Sequence, residues 1–510
     1  MTVSNESESH QTVNLQTDQR SDVSDGYNFT VNEALNRATF GKFQRRLMFV
    51  TGLCSAGDAV EALLLSFLLQ EIGPEWNLKS NVNGIIGAIV FLGVLIGNLI
   101  SGIISDYYGR WYAFVTSGAL LTLFGVLSAF ATNVVWLTIF RFVVGIGLGG
   151  GHTSFTLFTE FLPMKNRGKL LLINQLFWSC GAVFEVLLAW AVLPTYGWRA
   201  LLLLSTLPIL FALIFSYKYP ESPMFLASCG RIDEAMDVLN KVSEINGGSL
   251  HNDQWCLVPP CSAHKASITD KVAALVTHLG PTSRRLWVLW FCSSLVYYGI
   301  VLLSPRYFPS QGEYKDILLA TISEFPGVLI PFFGIDAFGR RRTLTALFVI
   351  AATACMALTV QLSELTSVGL VFIARGTISA AFISLYVVTA ESYPTSLRST
   401  GFGVASSIAR VAGMVTSLIS ENKSIYFALL SFSICSYVAS LASFTLPFET
   451  ANQGLPDDEI ILSKESDNAG LLGNQSSPSL SPVVFPKTML KTAEPGVVPP
   501  QQYLHFKEVI

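Results

Sequence analysis

Charge is scarce in this chain: Asp, Glu, Lys and Arg make up 13% of its 510 residues, about half the ~25% of an average soluble domain. With 51% hydrophobic residues and a mean hydropathy of +0.50, that scarcity excludes an ordinary soluble protein. The net charge is −3 and no basic stripe appears, so no nucleic-acid partner is expected. A secretory signal pattern is also missing, because the first 45 residues are polar and the first apolar run is too long for an h-region. No disulfide framework shows among the eight cysteines; Cys54, Cys180, Cys292, Cys355 and Cys435 lie inside apolar runs, where thiols behave as small hydrophobes. Cys256 and Cys261, near His251 and His264, fit no zinc-finger spacing, so a reduced loop is expected there and no metal. "GIGLGGG" (Gly145–Gly151) contains a GxGxxG match. It lies inside an apolar run and not after a strand, which argues for close helix packing over a nucleotide site. With no nucleophile–base pair and no phosphate loop, neither an enzyme nor a cofactor is expected.

Long apolar runs are abundant. A membrane crossing needs ~20 predominantly apolar residues, and runs of that kind fall at about 47–70, 84–105, 111–131, 135–160, 168–193 and 199–219. A second set falls at about 286–304, 316–335, 343–362, 367–390, 399–420 and 425–447. Each is hydrophobic almost all round, as a helix in lipid is. The pattern predicts an all-α membrane protein with twelve transmembrane helices in two six-helix halves, 46–219 and 284–447. A cytoplasmic loop over 220–283 would join them, with a short amphipathic helix within Gly230–Gly248 followed by an irregular stretch. The tails 1–45 and 448–510 are rich in Ser, Pro, Asn and Asp and are expected to be disordered. Lys and Arg concentrate on one set of helix ends, including Lys42, Arg45, Arg46, Arg110, Lys165, Arg167, Arg284, Arg285, Arg340–Arg342 and Arg398, which puts both termini in the cytoplasm.

The halves repeat one another. Asp106 and Asp336 are 230 residues apart (336 − 106), and Gly109-Arg110 recurs as Gly339-Arg340 at the same offset. Glu160, Pro163 and Arg167 in "EFLPMKNRG" recur as Glu391, Pro394 and Arg398 in "ESYPTSLRS", offset by 231. Several matches at nearly constant offset indicate duplication of a six-helix unit. On these residues the chain resembles the major facilitator superfamily: "GIISDYYGRW" (Gly102–Trp111) matches its signature after the second helix. "YPESP" (Tyr219–Pro223) and the pairs Arg141/Glu160 and Arg375/Glu391 are similar to its sugar-porter-related side. "FTVNEALNRATFGKFQRRL" (Phe29–Leu47) and "GDAVEALLLSF" (Gly57–Phe67) resemble the SVOP-type branch of synaptic-vesicle-protein-related and plant-type organic cation or nicotinate carriers. Trp111 stands where the first loop usually has a basic residue, and Phe332 where the second loop has its first glycine. The resemblance implies a gating role for Asp106, Gly109, Arg110, Arg141, Glu160, Arg167, Asp336, Gly339, Arg340, Arg375, Glu391 and Arg398, in networks that close on the cytoplasmic side and break as the halves rock.

Charges inside the spans carry the chemistry. Asp58 and Glu61 lie about 18–22 Å along the first span, near the middle of a core ~30 Å thick. An acid there costs ~2.5–3.5 kcal/mol on insertion scales. Their i, i+3 spacing puts both on one face, expected to look into a cavity and bind substrate or proton; the alternative is a structural acid paired to a base on another span. Glu185 and Arg410 also fall near midplane. Arg410 either neutralises an acid or holds a substrate carboxylate. Glu324 falls in the outer half, and Tyr297 or Tyr298 is placed to stack on a ligand or simply to pack. The expected function is secondary transport of a small organic ion by alternating access, an organic cation favoured and proton coupling included. Nicotinate or another organic anion is one alternative; a non-transporting binding protein of vesicle membranes is the other. The expected partners are the substrate ion, protons, the lipid bilayer and a sorting adaptor at "DNAGLL" (Asp467–Leu472), in a plasma or vesicle/endolysosomal membrane.

Overall fold

In lipid every backbone N–H and C=O must be bonded within its own segment, which leaves the helix as the solution for isolated apolar runs. A computed structural model describes residues 27–164, 167–248, 255–257, 268–277, 279–308, 313–360, 363–393, 395–421 and 424–446. The order begins with β1 (Tyr27–Phe29), α1 (Val31–Ala38), α2 (Lys42–Glu75), α3 (Ser80–Tyr107), α4 (Arg110–Ala129), α5 (Val134–Gly149), α6 (Gly151–Glu160), α7 (Arg167–Ser205) and α8 (Leu207–Ser216). The connecting region holds α9 (Pro223–Ser228), α10 (Ile232–Asn246), β2 (Trp255–Leu257) and α11 (Ile268–Thr277). The second half follows as α12 (Gly280–Tyr307), α13 (Glu313–Ile322), α14 (Glu324–Phe338), α15 (Arg340–Ala357), α16 (Glu364–Ser392), α17 (Thr395–Ser420) and α18 (Ile425–Phe444).

Ten stretches among the described residues are long and apolar enough to cross a membrane. One of them, Ile173–Ser216, has 44 residues, about twice the ~20 that a crossing needs, and breaks at Gly197, whose φ of 69° is non-helical. α15 is not among the ten; it opens on Arg340, Arg341 and Arg342 but buries an apolar body between α16 and α18. Reading the long stretch as two crossings and α15 as one accounts for the repeated six-helix pattern.

In the first half α2 packs on α7 and α3 on α5; in the second α12 packs on α17 and α15 on α18. The α3–α5 contact is close. A Cβ on Gly93, Gly97, Gly145 or Gly149 would run into the facing helix's backbone. Small residues permit that approach where lipid supplies no hydrophobic drive between helices, so the GxGxxG match is a packing surface.

The halves meet where α3 lies along α17, α2 along α12, and α7 against α13 and α14. We call the end carrying Gly109 and Gly339 the charged end, and the opposite one the far end. Near the far end a Cβ on Gly84 would lie 3.3 Å from Leu418 Cα and from the Ser417 carbonyl, and one on Gly87 2.8 Å from the Ser417 hydroxyl. Toward the charged end the same helices separate: Gly102 and Gly403 have nothing within 4 Å of an added Cβ. The halves therefore close at the far end and splay at the charged end.

The expectation of a disordered tail over 1–45 is corrected for its latter part. β1 pairs in parallel with β2 (Tyr27 opposite Trp255, Phe29 opposite Leu257). α1 starts in a capping box, in which the Thr30 hydroxyl accepts from Glu33 N and Glu33 accepts from Thr30 N. It buries Val31, Ala34, Leu35 and Ala38 in a cluster with Leu239 and Val242 of α10 and Leu226 of α9. Four apolar residues in a polar stretch vanish into an average composition but suffice for one face of an eight-residue helix. Asn246 then fastens the α1–α2 turn, accepting from Phe43 N at 3.0 Å and donating to the Ala38 and Thr39 carbonyls. The stretch after Gly248, expected to be irregular, contains β2 and α11. Residues 1–26, the tail beyond 446 with its "DNAGLL" signal, and Cys261, His251 and His264 lie outside the described residues.

Far-end closure yields a direct prediction. Gly84→Leu forces α3 off α17, overpacking that costs about 1–3 kcal/mol, and cysteines placed at the far end become accessible to a membrane-impermeant thiol reagent. Gly102→Leu, which meets open space, leaves far-end labelling unchanged. Equal labelling in both variants contradicts the closure described.

Candidate functional site

α2 brings Asp58 and Glu61 to mid-membrane, and the structure gives them different fates. Glu61 is 3% exposed and accepts from Arg141 Nη1 of α5 at 2.9 Å, while Arg141 Nε donates to the Ser128 hydroxyl at 3.0 Å. The expectation that both acids face a cavity is therefore corrected: Glu61 is walled in with its cation. The second half has a counterpart. Glu324, fully buried at the start of α14, accepts from Arg375 Nε at 3.0 Å and is 2.9 Å from Arg375 Nη2. Arg141 and Arg375, expected in the charged-end networks with Glu160 and Glu391, belong instead to these interior pairs. Removing one member of a buried pair costs about 3–5 kcal/mol, because the other is left as an uncompensated charge.

Asp58 lies one helical turn nearer the charged end. It is partly exposed and rests against Gly151, where an added Cβ would strike its carboxylate. It makes no ion pair among the described residues. Across the interface Arg410 of α17, also partly exposed, donates from Nη1 to the Tyr298 hydroxyl at 3.1 Å. Its Nε is buried with no hydrogen-bond partner. Tyr298 in turn packs edge-on to Phe91 of α3 at 5.0 Å, so Arg410 is aimed at the first half. Arg410 lies within electrostatic reach of Asp58 and His152.

Tyr297 and Tyr298 are 4% and 7% exposed, which is the packing alternative for both rings. Their hydroxyls do the work. The Trp178 indole of α7 donates to Tyr297 at 2.8 Å, and Tyr297 donates to Glu324 at 3.0 Å. An indole only donates and a carboxylate only accepts, which fixes the direction of this chain. It crosses from one half to the other. Nothing in the sequence around Trp178 signals that role, since its partner is 119 residues away. Glu185, expected near midplane, is fully buried and accepts from the Ser205 hydroxyl at 2.9 and 3.1 Å, with no cation bonded to it.

The repeated loops form two clusters at the charged end, each contained in its own half. Arg110 Nε is 3.2 Å from Glu160 and its Nη1 3.4 Å from Asp106, and Nη1 also donates to the Ser105 carbonyl. Arg340 holds Glu391 through Nε and Nη2 at 3.0 and 3.1 Å. Arg167 donates to the Leu162 carbonyl and to Asn32 of α1. Arg398 has Nε and Nη2 buried without hydrogen-bond partners, and the side chain of Asp336 is outside the described residues. Gly109 and Gly339 have φ of 118° and 87°, which glycine adopts at little cost. The sequence reading left out Glu221 of "YPESP". Its carboxylate accepts from Arg110 N at 2.9 Å and Trp111 N at 3.1 Å, capping α4 from outside. Burial pushes its carboxyl above the usual range against the pull of those amides. An added Cβ on Gly109 would overlap that carboxylate, so glycine is required there twice over.

Comparison with known proteins places this geometry. Residues 23–458 match the sugar (and other) transporter family. The chain is 35% identical to the synaptic vesicle 2-related protein of Pongo abelii over 84% of its length and 82% of that protein's. It is 32% identical to organic cation/carnitine transporter 7 of Arabidopsis thaliana, covering 87% of this chain and 99% of that one. Among solved structures, the inward-open xylose transporter XylE of E. coli superposes with a TM-score of 0.68 at 17% identity, over 82% of this chain and 99% of that one. The chain thus belongs to the sugar (and other) transporter family of the major facilitator superfamily.

Proposed function

We propose that this transporter carries a small organic ion by alternating access, with Asp58 receiving the cationic group of the substrate. The observation that carries the reading is the contrast on one helix: Glu61 is neutralised by Arg141, while Asp58 keeps a partly exposed carboxylate at the junction of the halves. An acid held in the membrane without a paired cation is expensive and marks a substrate or ion path. The name of the Arabidopsis relative, an organic cation/carnitine transporter, supports a cationic group, and the synaptic vesicle 2-related relatives support residence in a vesicle membrane. Lys and Arg at the charged end put that end and both termini in the cytoplasm, so the described state opens inward. Rocking the halves the other way would bring the two charged clusters toward each other, and the unpartnered Arg398 donors would then find acceptors. Glu185, which no cation neutralises, is the acid we assign to a coupled proton.

Three substitutions separate these roles in proteoliposomes loaded with a labelled quaternary ammonium substrate. Asp58→Asn lowers uptake at least ~10-fold, the loss expected for one charge-assisted contact, with unchanged folded yield on size exclusion. Glu61→Gln acts through the fold: it strands Arg141, destabilises the protein by about 3–5 kcal/mol and lowers its folded yield. Unimpaired uptake by Asp58→Asn contradicts the assignment. Glu185→Gln retains uptake down a substrate gradient and loses accumulation driven by a proton gradient; accumulation as in the parent protein would rule Glu185 out as the proton carrier.

A further inference from the structure

The far end is closed by more than glycines. Asn83, in the first turn of α3, is 7% exposed, and its amide donates from Nδ2 to the Leu69 carbonyl of α2 at 2.8 Å. A carbonyl only accepts, so that bond fixes which way the amide faces. The same side chain bonds the carboxyl of Glu421, which follows α17 in the other half and is 8% exposed. Backbone geometry brings the two together: the Glu421 Cβ is 3.4 Å from a Cβ built on Gly84, the residue after Asn83. One atom is left over. Asn83 Oδ1 is buried without a hydrogen-bond partner, and a carboxylate cannot satisfy it because a carboxylate only accepts. A carboxylic acid can, since its carbonyl oxygen accepts from the amide N–H while its hydroxyl donates to the amide oxygen.

We propose that Glu421 is a proton site read from the far side: protonated, it bonds both the donor and the acceptor of the Asn83 amide and completes the seal between the halves, and ionised, it strands Oδ1 and loosens that seal. This use of a proton rests on the alternating access read above and not on Asp58. The surroundings favour the neutral acid. Burial raises the Glu421 carboxyl above the usual carboxylate range, against the opposing pull of Arg306 and Asn83. Arg306 of α12 spends its Nη1 on the Ser420 carbonyl at the end of α17. Glu71 and Glu75 of α2, Lys79 before α3 and Glu364 at the start of α16 are exposed at this end, and Lys423 lies outside the described residues. Opening the far end hydrates Glu421 and returns it to the ordinary value of ~4.3. The closed state therefore binds the proton more tightly. Acid on the far side favours closure, and that contribution is lost as pH rises through the closed-state value. A membrane with acid on that side keeps the carrier shut there and open at the charged end.

Spin labels on Tyr196→Cys and Leu365→Cys, exposed far-end positions in opposite halves, report their separation by double electron–electron resonance. The sample is the full-length protein with its native cysteines replaced and no substrate present. From about pH 5.5 to about pH 8 the ratio of far-end-open to far-end-closed molecules is expected to rise ~10-fold, the change that a tenfold difference in proton affinity between the two states supplies. Glu421→Gln keeps a donor and an acceptor without titrating, and stays closed across that range. Asn83→Ala removes Oδ1, weakens closure at the acid end and flattens the response. A parent protein whose far-end separation ignores pH overturns the proposal. So does either variant responding as the parent does, because another group is then taking up the proton. Glu421→Gln that is open at both pH values also overturns it, because the ionised form is then the one that seals. Each of these failures leaves the assignment of Asp58, read by uptake, untouched.

Discussion

Each half of this transporter contains one arginine–glutamate pair sealed from water, Arg141 with Glu61 and Arg375 with Glu324, all four side chains no more than 2% exposed. Such pairs are poor sources of net stability, since desolvation consumes most of the attraction between the charges. Their consequence is conditional: once formed, they cannot be opened without stranding a charge in the membrane. α2 is thereby fixed to α5 and α14 to α16. The interface between the halves is held differently, by close packing of α3 on α17 and without such a sealed ion pair among the described residues.

That interface is asymmetric along its length. Near the far end α3 and α17 approach through Gly84 and Gly87, and Asn83 bonds the Glu421 carboxylate across the same contact. At mid-membrane one directed chain crosses, from the Trp178 indole through Tyr297 to the buried Glu324–Arg375 pair. Toward the charged end the helices part, and the duplicated loops turn inward upon their own halves, Arg110 to Glu160 and Arg340 to Glu391. Asp58 and Arg410 lie between the closed and open ends.

Much of the architecture was legible in the sequence, because lipid permits few solutions. Apolar runs of the right length, a repeat offset of 230–231 residues and Arg-rich loops at equivalent places point to two six-helix halves. Helical rise puts Asp58, Glu61, Glu185 and Arg410 well inside long helices, away from their ends. Partner choice was not legible. Helical spacing puts Asp58 and Glu61 on one face, yet the neighbour that separates their roles, Arg141, is 80 residues from Glu61 and was assigned by motif to another cluster. The same holds for Trp178 and Tyr297, whose meeting is a tertiary fact. α1 escaped notice for a different reason: its buried stripe of four residues is too short to alter the composition of a polar tail.

The account turns on Asp58 being the open acid and Glu61, Glu324 and Glu185 being sealed. Treating the purified protein with a water-soluble carbodiimide and glycine ethyl ester, then mapping modified carboxyls by peptide mass spectrometry, measures that difference directly. Derivatised Asp58 with unmodified Glu61, Glu324 and Glu185 is the predicted pattern. Modification of Glu61 while Asp58 stays intact would contradict it.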